Sequence, residues 1–73
     1  MKDLSAQIEP ARALIRAGNL PGARDALMLL ARREPSHPQV NALLARTQYE
    51  LGDLNKAEHY ARRALTALRG DPV

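Results

Sequence analysis

Apolar residues recur along this chain at intervals of three and four, which is the spacing of an amphipathic α-helix. Two apolar stripes stand out: Leu20, Ala23, Leu27, Leu30 and Ala31, and then Leu54, Ala57, Ala61, Ala64, Leu65 and Leu68. We expect both stripes to face the core. The few β-branched apolar residues lie in no alternating run, so the pattern predicts no β-sheet.

Glycine and proline residues divide the first half of the chain into two predicted helices. The first covers about residues 3–17 and ends at Gly18, because glycine readily adopts the left-handed conformation that terminates a helix. Asn19 is the predicted cap of the second helix. That helix continues to about Arg33 and ends before Pro35, since the residue preceding a proline disfavours helical angles.

The second half of the chain is divided in the same way, by glycine, proline and capping residues. A third helix is predicted to begin at Pro38 and to continue to Leu51, where Gly52 ends it. Asp53 is the predicted cap of a fourth helix that ends at Gly70. The sequence therefore predicts an all-α chain of four helices in two pairs.

The two halves are related by a shift of 34 residues, which brings identical residues into register. The identical pairs are Ala11 and Ala45, Arg12 and Arg46, Gly18 and Gly52, Leu20 and Leu54, Ala23 and Ala57, and Pro38 and Pro72. A period of about 34 residues is typical of stacked helical repeats.

These residues resemble the tetratricopeptide repeat, which has small residues where its two helices cross, a Gly-Asp-like turn between them and a proline near the repeat end. The matching residues are Ala11, Gly18, Asn19, Ala23 and Pro35 in the first unit, and Ala45, Gly52, Asp53, Leu54, Ala57, Ala64 and Leu65 in the second. The resemblance implies two stacked antiparallel helix-turn-helix repeats in a fragment of a right-handed superhelix. One domain, 1–73, would hold a repeat at about 3–36, another at about 37–70, and the start of a third at 71–73.

Two features depart from the family pattern. Pro10 stands where the family usually has a large apolar residue, and we expect it to kink the first helix or delay its start. The family's usual aromatic residues are replaced by Gln7 and Asn41 in the first helix of each unit, and by Leu27 and Ala61 in the second. We therefore expect packing that differs from the family average.

Composition excludes several classes of protein. The 73 residues include no cysteine, so neither disulfides nor thiolate metal sites are predicted. No run approaches the ~20 apolar residues of a membrane span, and the N-terminus lacks the apolar stretch of a signal peptide, so a cytoplasmic location is expected. The net charge of +3 is a mild bias toward acidic partners.

No catalytic, cofactor or metal chemistry is predicted. The chain has no glycine-rich phosphate loop and no histidine pair at metal spacing, and its carboxylates are dispersed. The arginine pairs 32–33 and 62–63 lie late in their helices, where positive charge complements the helix dipole. Aromatic residues do not interleave with them, so we do not expect nucleic-acid binding.

The family resemblance implies that the first helix of each unit lines a concave groove for a peptide or helix of a partner protein. The groove residues implied by it are Ile8, Arg12, Ile15, Arg16, Gln39, Ala42, Arg46, Tyr49 and Glu50. Arg12 and Arg46 would present two guanidinium groups to a carboxylate above an apolar floor of Ile15 and Tyr49, which favours an acidic or C-terminal peptide. The alternative is that both arginines are ordinary solvated residues.

Three hypotheses for function remain open at this point. The first is a scaffold or adaptor that binds a partner protein; the second is the N-terminal appendage of a larger bacterial enzyme such as a transferase. The third is a self-assembly module, such as a homodimer formed through exposed helix ends. We favour a fragment of a longer repeat protein over a self-paired chain, and abundant alanine with more arginine than lysine indicates a GC-rich bacterial genome.

Overall fold

Residues 4–69 form four α-helices in the computed structural model, and the description below covers these residues. The helices are α1 (Ser5–Arg16), α2 (Leu20–Arg33), α3 (Pro38–Glu50) and α4 (Leu54–Arg69). Each helix packs against the next along the chain, and this part of the chain contains no strand. The predicted all-α class and the order of its elements are confirmed. The predictions for Asp3, Gly70 and 71–73 lie outside the described residues.

The turns within the two helix pairs have the same geometry. Gly18 adopts a φ of 83°, donates its N–H to the carbonyl of Ile15 at 3.0 Å, and is followed by Asn19, whose N–H bonds to the carbonyl of Leu14 at 2.9 Å. This is the Schellman arrangement that ends a helix. The same pair of bonds recurs around Gly52, at a φ of 90°. Both predicted glycine stops are confirmed.

Side chains cap the first turns of α2, α3 and α4. The backbone N–H of Gly22 donates to Asn19 Oδ1 (3.1 Å), that of Val40 to His37 Nδ1 (3.3 Å), and that of Lys56 to Asp53 Oδ1 (3.2 Å). Each bond satisfies an N–H that has no partner within its helix. The predicted caps Asn19 and Asp53 are confirmed, and His37 is a cap that the sequence did not predict.

Pro10 lies inside α1 rather than near its beginning. The helix starts at Ser5 and continues through Pro10 to Arg16, so Pro10 does not delay the helix start; the alternative, a kink at Pro10, stays a prediction. Pro10 is on the exposed side of α1, so its ring displaces no core residue. Its missing N–H still leaves the carbonyl of Ala6 without the usual helical donor.

The core lies where α1, α2 and α3 meet. The buried apolar residues that contact one another there are Leu4, Ile8, Ala11, Leu27, Leu30, Val40 and Leu44. Tyr60 of α4 packs against this cluster, and Ala57 and Ala64 bury the inner side of α4. The core is therefore built almost entirely from aliphatic side chains.

The two predicted apolar stripes differ in burial. In α2, Ala23, Leu27 and Leu30 are buried, as predicted. In α4 the prediction is wrong for four residues: Leu54, Leu65 and Leu68 are 61%, 52% and 72% exposed, and Ala61 is also exposed. The reason is positional, because α2 is covered by both α1 and α3, whereas within residues 4–69 α4 packs chiefly against α3.

Polar side chains tie the loop between α2 and α3 to the helices around it. Asn41 is fully buried and donates from Nδ2 to the carbonyls of Pro35 (2.8 Å) and His37 (3.0 Å). Arg63 of α4 donates from Nη2 to the same Pro35 carbonyl at 2.8 Å. One carbonyl oxygen thus joins α3 and α4 to the preceding loop.

Candidate peptide-binding surface

The exposed residues of α3 form a single face. They are Gln39, Ala42, Arg46, Tyr49 and Glu50, and every other residue of the helix is buried or half-buried. Spacings of three, four, three and one place these residues on one side of a helix with 3.6 residues per turn. All five α3 residues predicted to line the groove are therefore accessible and adjacent. Their binding of a peptide stays a prediction.

Residues of α1 and α3 meet at a small cleft beside this face. Its volume is about 180 Å³, and its lining residues are Arg12, Ile15, Arg16, Leu43 and Arg46. Pockets for small-molecule ligands are usually about 300–1,000 Å³, so this cleft is closer in size to one amino-acid side chain. The structure thus brings together four of the nine predicted site residues, together with Leu43.

Leu43 is the cleft residue that the sequence analysis missed. It is half-buried, packs against the core, and provides the apolar lining on the α3 side that had been assigned to Tyr49. Tyr49 is 66% exposed and does not line the cleft. A signal was present, because Leu43 lies four residues after Gln39 and three before Arg46, in one helical row.

The structure places Ile8 in the core and not in the groove, which corrects its assignment to the site. Its side chain is 1% exposed and contacts the buried cluster. Ile8 is spaced four residues from Leu4 and three from Ala11, so it shares the face that α1 turns toward α2 and α3. The predicted groove residues Ile8, Arg12 and Ile15 therefore lie on both sides of the boundary between the core and the surface.

Arginine and glutamate side chains form ion pairs along the surface of α1 and α3. Glu9 pairs through Oε2 with Arg12 Nε at 3.7 Å and through Oε1 with Arg16 Nη2 at 3.9 Å. Glu50 Oε2 pairs with Arg46 Nε at 3.7 Å. These three pairs therefore match three guanidinium groups with two carboxylates, which leaves the cleft with an excess of positive charge.

The ion pairs at the cleft are weak. Their nitrogen–oxygen distances exceed the 2.7–2.9 Å of a charge-assisted hydrogen bond. The side chains are also 38–68% exposed, and exposed pairs contribute about 0–1 kcal/mol. A carboxylate from another molecule can therefore replace Glu9 or Glu50 as the partner of an arginine at little cost.

A second cleft, of about 300 Å³, lies between α2 and α4, and its lining residues are Met28, Ala31, Arg32, Pro35, His59, Tyr60 and Arg63. Arg63 is held there by the Pro35 carbonyl, and the rings of His59 and Tyr60 meet edge to face at 5.1 Å. The Arg63 bond connects α4 to the loop before α3, whereas the ring contact lies within α4. Among residues 4–69, no group of three or more histidine or carboxylate side chains is arranged to hold a metal ion.

No protein-family model, curated protein or solved structure matches this chain. In the described part of the chain, no helix combines the length and apolar character required to cross a bilayer. Residues 4–69 form a small all-α domain of four helices in which each helix packs against the next.

Proposed function

We propose that this chain is a non-catalytic protein-interaction module, similar to a pair of tetratricopeptide repeats, that binds an acidic or C-terminal peptide along α1 and α3. The recurrence of one turn geometry around Gly18 and Gly52 supports the repeat assignment. In this arrangement α1 and α3 are equivalent helices of two stacked units, and their exposed sides form one surface.

The observation that carries the proposal is the excess of guanidinium groups at a cleft with an apolar lining. A ligand carboxylate bound between Arg12 and Arg46 would gain charge-assisted hydrogen bonds that the present long ion pairs lack. The side chain next to that carboxylate would enter the cleft between Ile15 and Leu43. The site therefore fits a peptide that places a carboxylate next to an apolar side chain. That carboxylate is either the C-terminus of the peptide or an acidic side chain.

The remaining exposed residues of α3 extend this surface beyond the cleft. Tyr49 offers a large amphipathic side chain, and Gln39 offers an amide that can bond to a peptide backbone. The whole surface is small, so binding in the micromolar range is expected rather than a tight complex. Such affinity suits a reversible adaptor.

A charge-reversal experiment tests the proposal. The double variant Arg12→Glu, Arg46→Glu should bind apolar peptides that end in a free carboxylate at least about tenfold more weakly than the parent chain, because attraction becomes repulsion. Isothermal titration calorimetry measures the change, and amidated peptides separate the terminal carboxylate from acidic side chains as the group that is bound.

The matched control is Arg32→Glu, Arg33→Glu, which changes the net charge equally at exposed positions near the end of α2. This control should lose little affinity, since the change lies away from the cleft. Equal binding by the parent and both double variants would show that the α1–α3 surface is not the binding site.

A further inference from the structure

The contact between α2 and α3 is made by one face of each helix. On α4 and on α1, several of the residues equivalent to these two faces are exposed. Within the chain, Leu27 and Leu30 of α2 join Val40 and Leu44 of α3 in the buried cluster. The 34-residue shift in sequence aligns α2 with α4 and α1 with α3. α4 is therefore the equivalent of α2, which α3 covers, and α1 is the equivalent of α3.

The first uncovered counterpart is the trailing face, which we define as Leu54, Ala61, Leu65 and Leu68 of α4. Three of its members correspond to residues of α2: Leu54 to Leu20, Ala61 to Leu27, and Leu65 to Ala31. Leu68 corresponds to Glu34, which follows α2. The α2 residues are buried or half-buried, whereas their α4 equivalents are exposed. Leu27 and Ala31 lie in or against the cluster that contains Val40 and Leu44 of α3, so their exposed equivalents Ala61 and Leu65 resemble a surface that α3 covers on α2.

The second counterpart is the leading face, which we define as Ala6, Pro10, Ala13 and Ala17, at the outer side and end of α1. The equivalent residues of α3 are, in order, Val40, Leu44, Thr47 and Leu51. Val40, Leu44 and Thr47 are fully buried, and Leu51 is half-buried. All four residues of the leading face are exposed and apolar. The side of α3 that packs on α2 is buried, whereas the equivalent side of α1 is exposed.

From this correspondence we propose that copies of the chain associate head to tail, with the trailing face of one copy packed on the leading face of the next. The faces are complementary in size, because protruding leucines would meet a row of alanines and one proline. Glu58 lies in the same helical row, four residues after Leu54 and three before Ala61, and it is paired with Arg62 at 2.8 Å, so the charge beside the contact already has a partner. A second copy is the favoured occupant because one molecule carries exposed equivalents of both faces of a contact that the chain already forms internally.

This contact is heterologous, since it joins two different surfaces. Its repetition produces an open array rather than a closed dimer, provided that the rotation between copies does not close a ring. In such an array α1 of one copy would follow α3 of the previous copy with the offset found inside the chain. The proposal does not depend on peptide binding, although an array would lengthen the α1–α3 surface.

Sedimentation velocity at concentrations from micromolar to millimolar tests the proposal with one variant on each face. The parent chain should grow beyond a dimer as concentration rises. Leu65→Glu on the trailing face and Ala13→Glu on the leading face should each weaken association by about tenfold or more, because each buries a carboxylate in an apolar contact. Leu29→Glu is the control, since Leu29 is an equally exposed leucine outside both faces.

A mixture of the two face variants gives the sharpest result. The Leu65→Glu chain keeps its leading face and the Ala13→Glu chain keeps its trailing face, so the mixture should form one-to-one dimers that grow no further. A parent chain that stays monomeric overturns the proposal, as does a dimer that only Leu65→Glu disrupts, which would mean that two trailing faces meet. Circular dichroism checks that each variant is helical, and Leu65→Lys and Ala13→Lys replace any variant that is not.

Discussion

Buried polar side chains on α3 set this core apart from a simple aliphatic one. Asn41, Thr47 and Gln48 are all at most 2% exposed. Thr47 donates its hydroxyl to the carbonyl of Leu43 at 2.8 Å, and Asn41 holds two loop carbonyls. Asn41 Oδ1 and Gln48 Nε2 have no hydrogen-bond partner among residues 4–69, and in Gln48 the unpaired atom is a donor. A buried amide nitrogen in that state destabilises the fold.

Replacement of Gln48 by methionine should therefore raise stability. Methionine has nearly the same length and volume but buries no unpaired donor, so the free energy of unfolding of Gln48→Met should increase by about 1 kcal/mol. Urea denaturation followed by circular dichroism measures the change. Gln48→Ala is the control for volume and should be less stable than the parent, because it leaves a cavity. A destabilised methionine variant would mean that the amide makes a stabilising contact.

For single residues, features that depend only on neighbours in the sequence could be predicted. Gly18 and Asn19 stop and cap helices through bonds to residues at most five positions away, so local spacing identifies them. For Ile8 and Leu43 local spacing was not enough. It shows that Ile8 shares a helix face with Leu4 and Ala11, and that Leu43 lies in one row with Arg46. Which of these faces is buried depends on the direction of the neighbouring helix.

Among the helical elements, the free-energy cost of a proline depends on its position in the helix. Pro21 and Pro38 occupy the first turns of α2 and α3, where a backbone N–H would have no helical acceptor. Pro10 lies in the second turn of α1, where it removes a helical hydrogen bond to the carbonyl of Ala6. α1 should therefore be less stable than its length suggests.

The substitution Pro10→Ala should stabilise the domain by up to about 3 kcal/mol, the difference between proline and alanine inside a helix. Pro10 is exposed, so no core contact is lost. Thermal unfolding should show a higher Tm. The matched change Pro21→Ala should have little effect, because first-turn proline costs no hydrogen bond. Equal Tm shifts for the two variants would contradict this account.

The existence, order and approximate bounds of the helices were all predictable, since glycine, proline and capping residues mark them directly. Which side of α4 is covered was not. Leu54, Leu65 and Leu68 follow the same apolar period as the buried residues of α2. A hydrophobic period reports that a surface favours burial, but it does not report whether another helix is present to bury it.

At the scale of the whole molecule, three helices depend on one small core. A chain of 73 residues is expected to have a free energy of unfolding of about 4–11 kcal/mol. Leu27 is fully buried in the cluster that joins α1, α2 and α3. Loss of this one side chain therefore affects most of the domain at once.

Leu27→Ala should lower the free energy of unfolding by about 3 kcal/mol, through lost transfer energy and a residual cavity. All helical signal should be lost in a single, earlier transition in urea. The control is Leu29→Ala, two residues further along the same helix, which is 60% exposed and should change stability by less than about 0.5 kcal/mol. Two separate transitions in the Leu27→Ala variant would contradict the single shared core.

The position of α3 between α2 and α4 has one further consequence for recognition. Every residue of α3 outside its single open side is buried or half-buried, so the open side belongs to the most firmly held helix of the domain. A ligand that docks there meets a preorganised receptor, which gives up little conformational entropy on binding. Among peptides that carry the required carboxylate and apolar side chain, selectivity should then depend mainly on the rigidity and shape of the peptide itself.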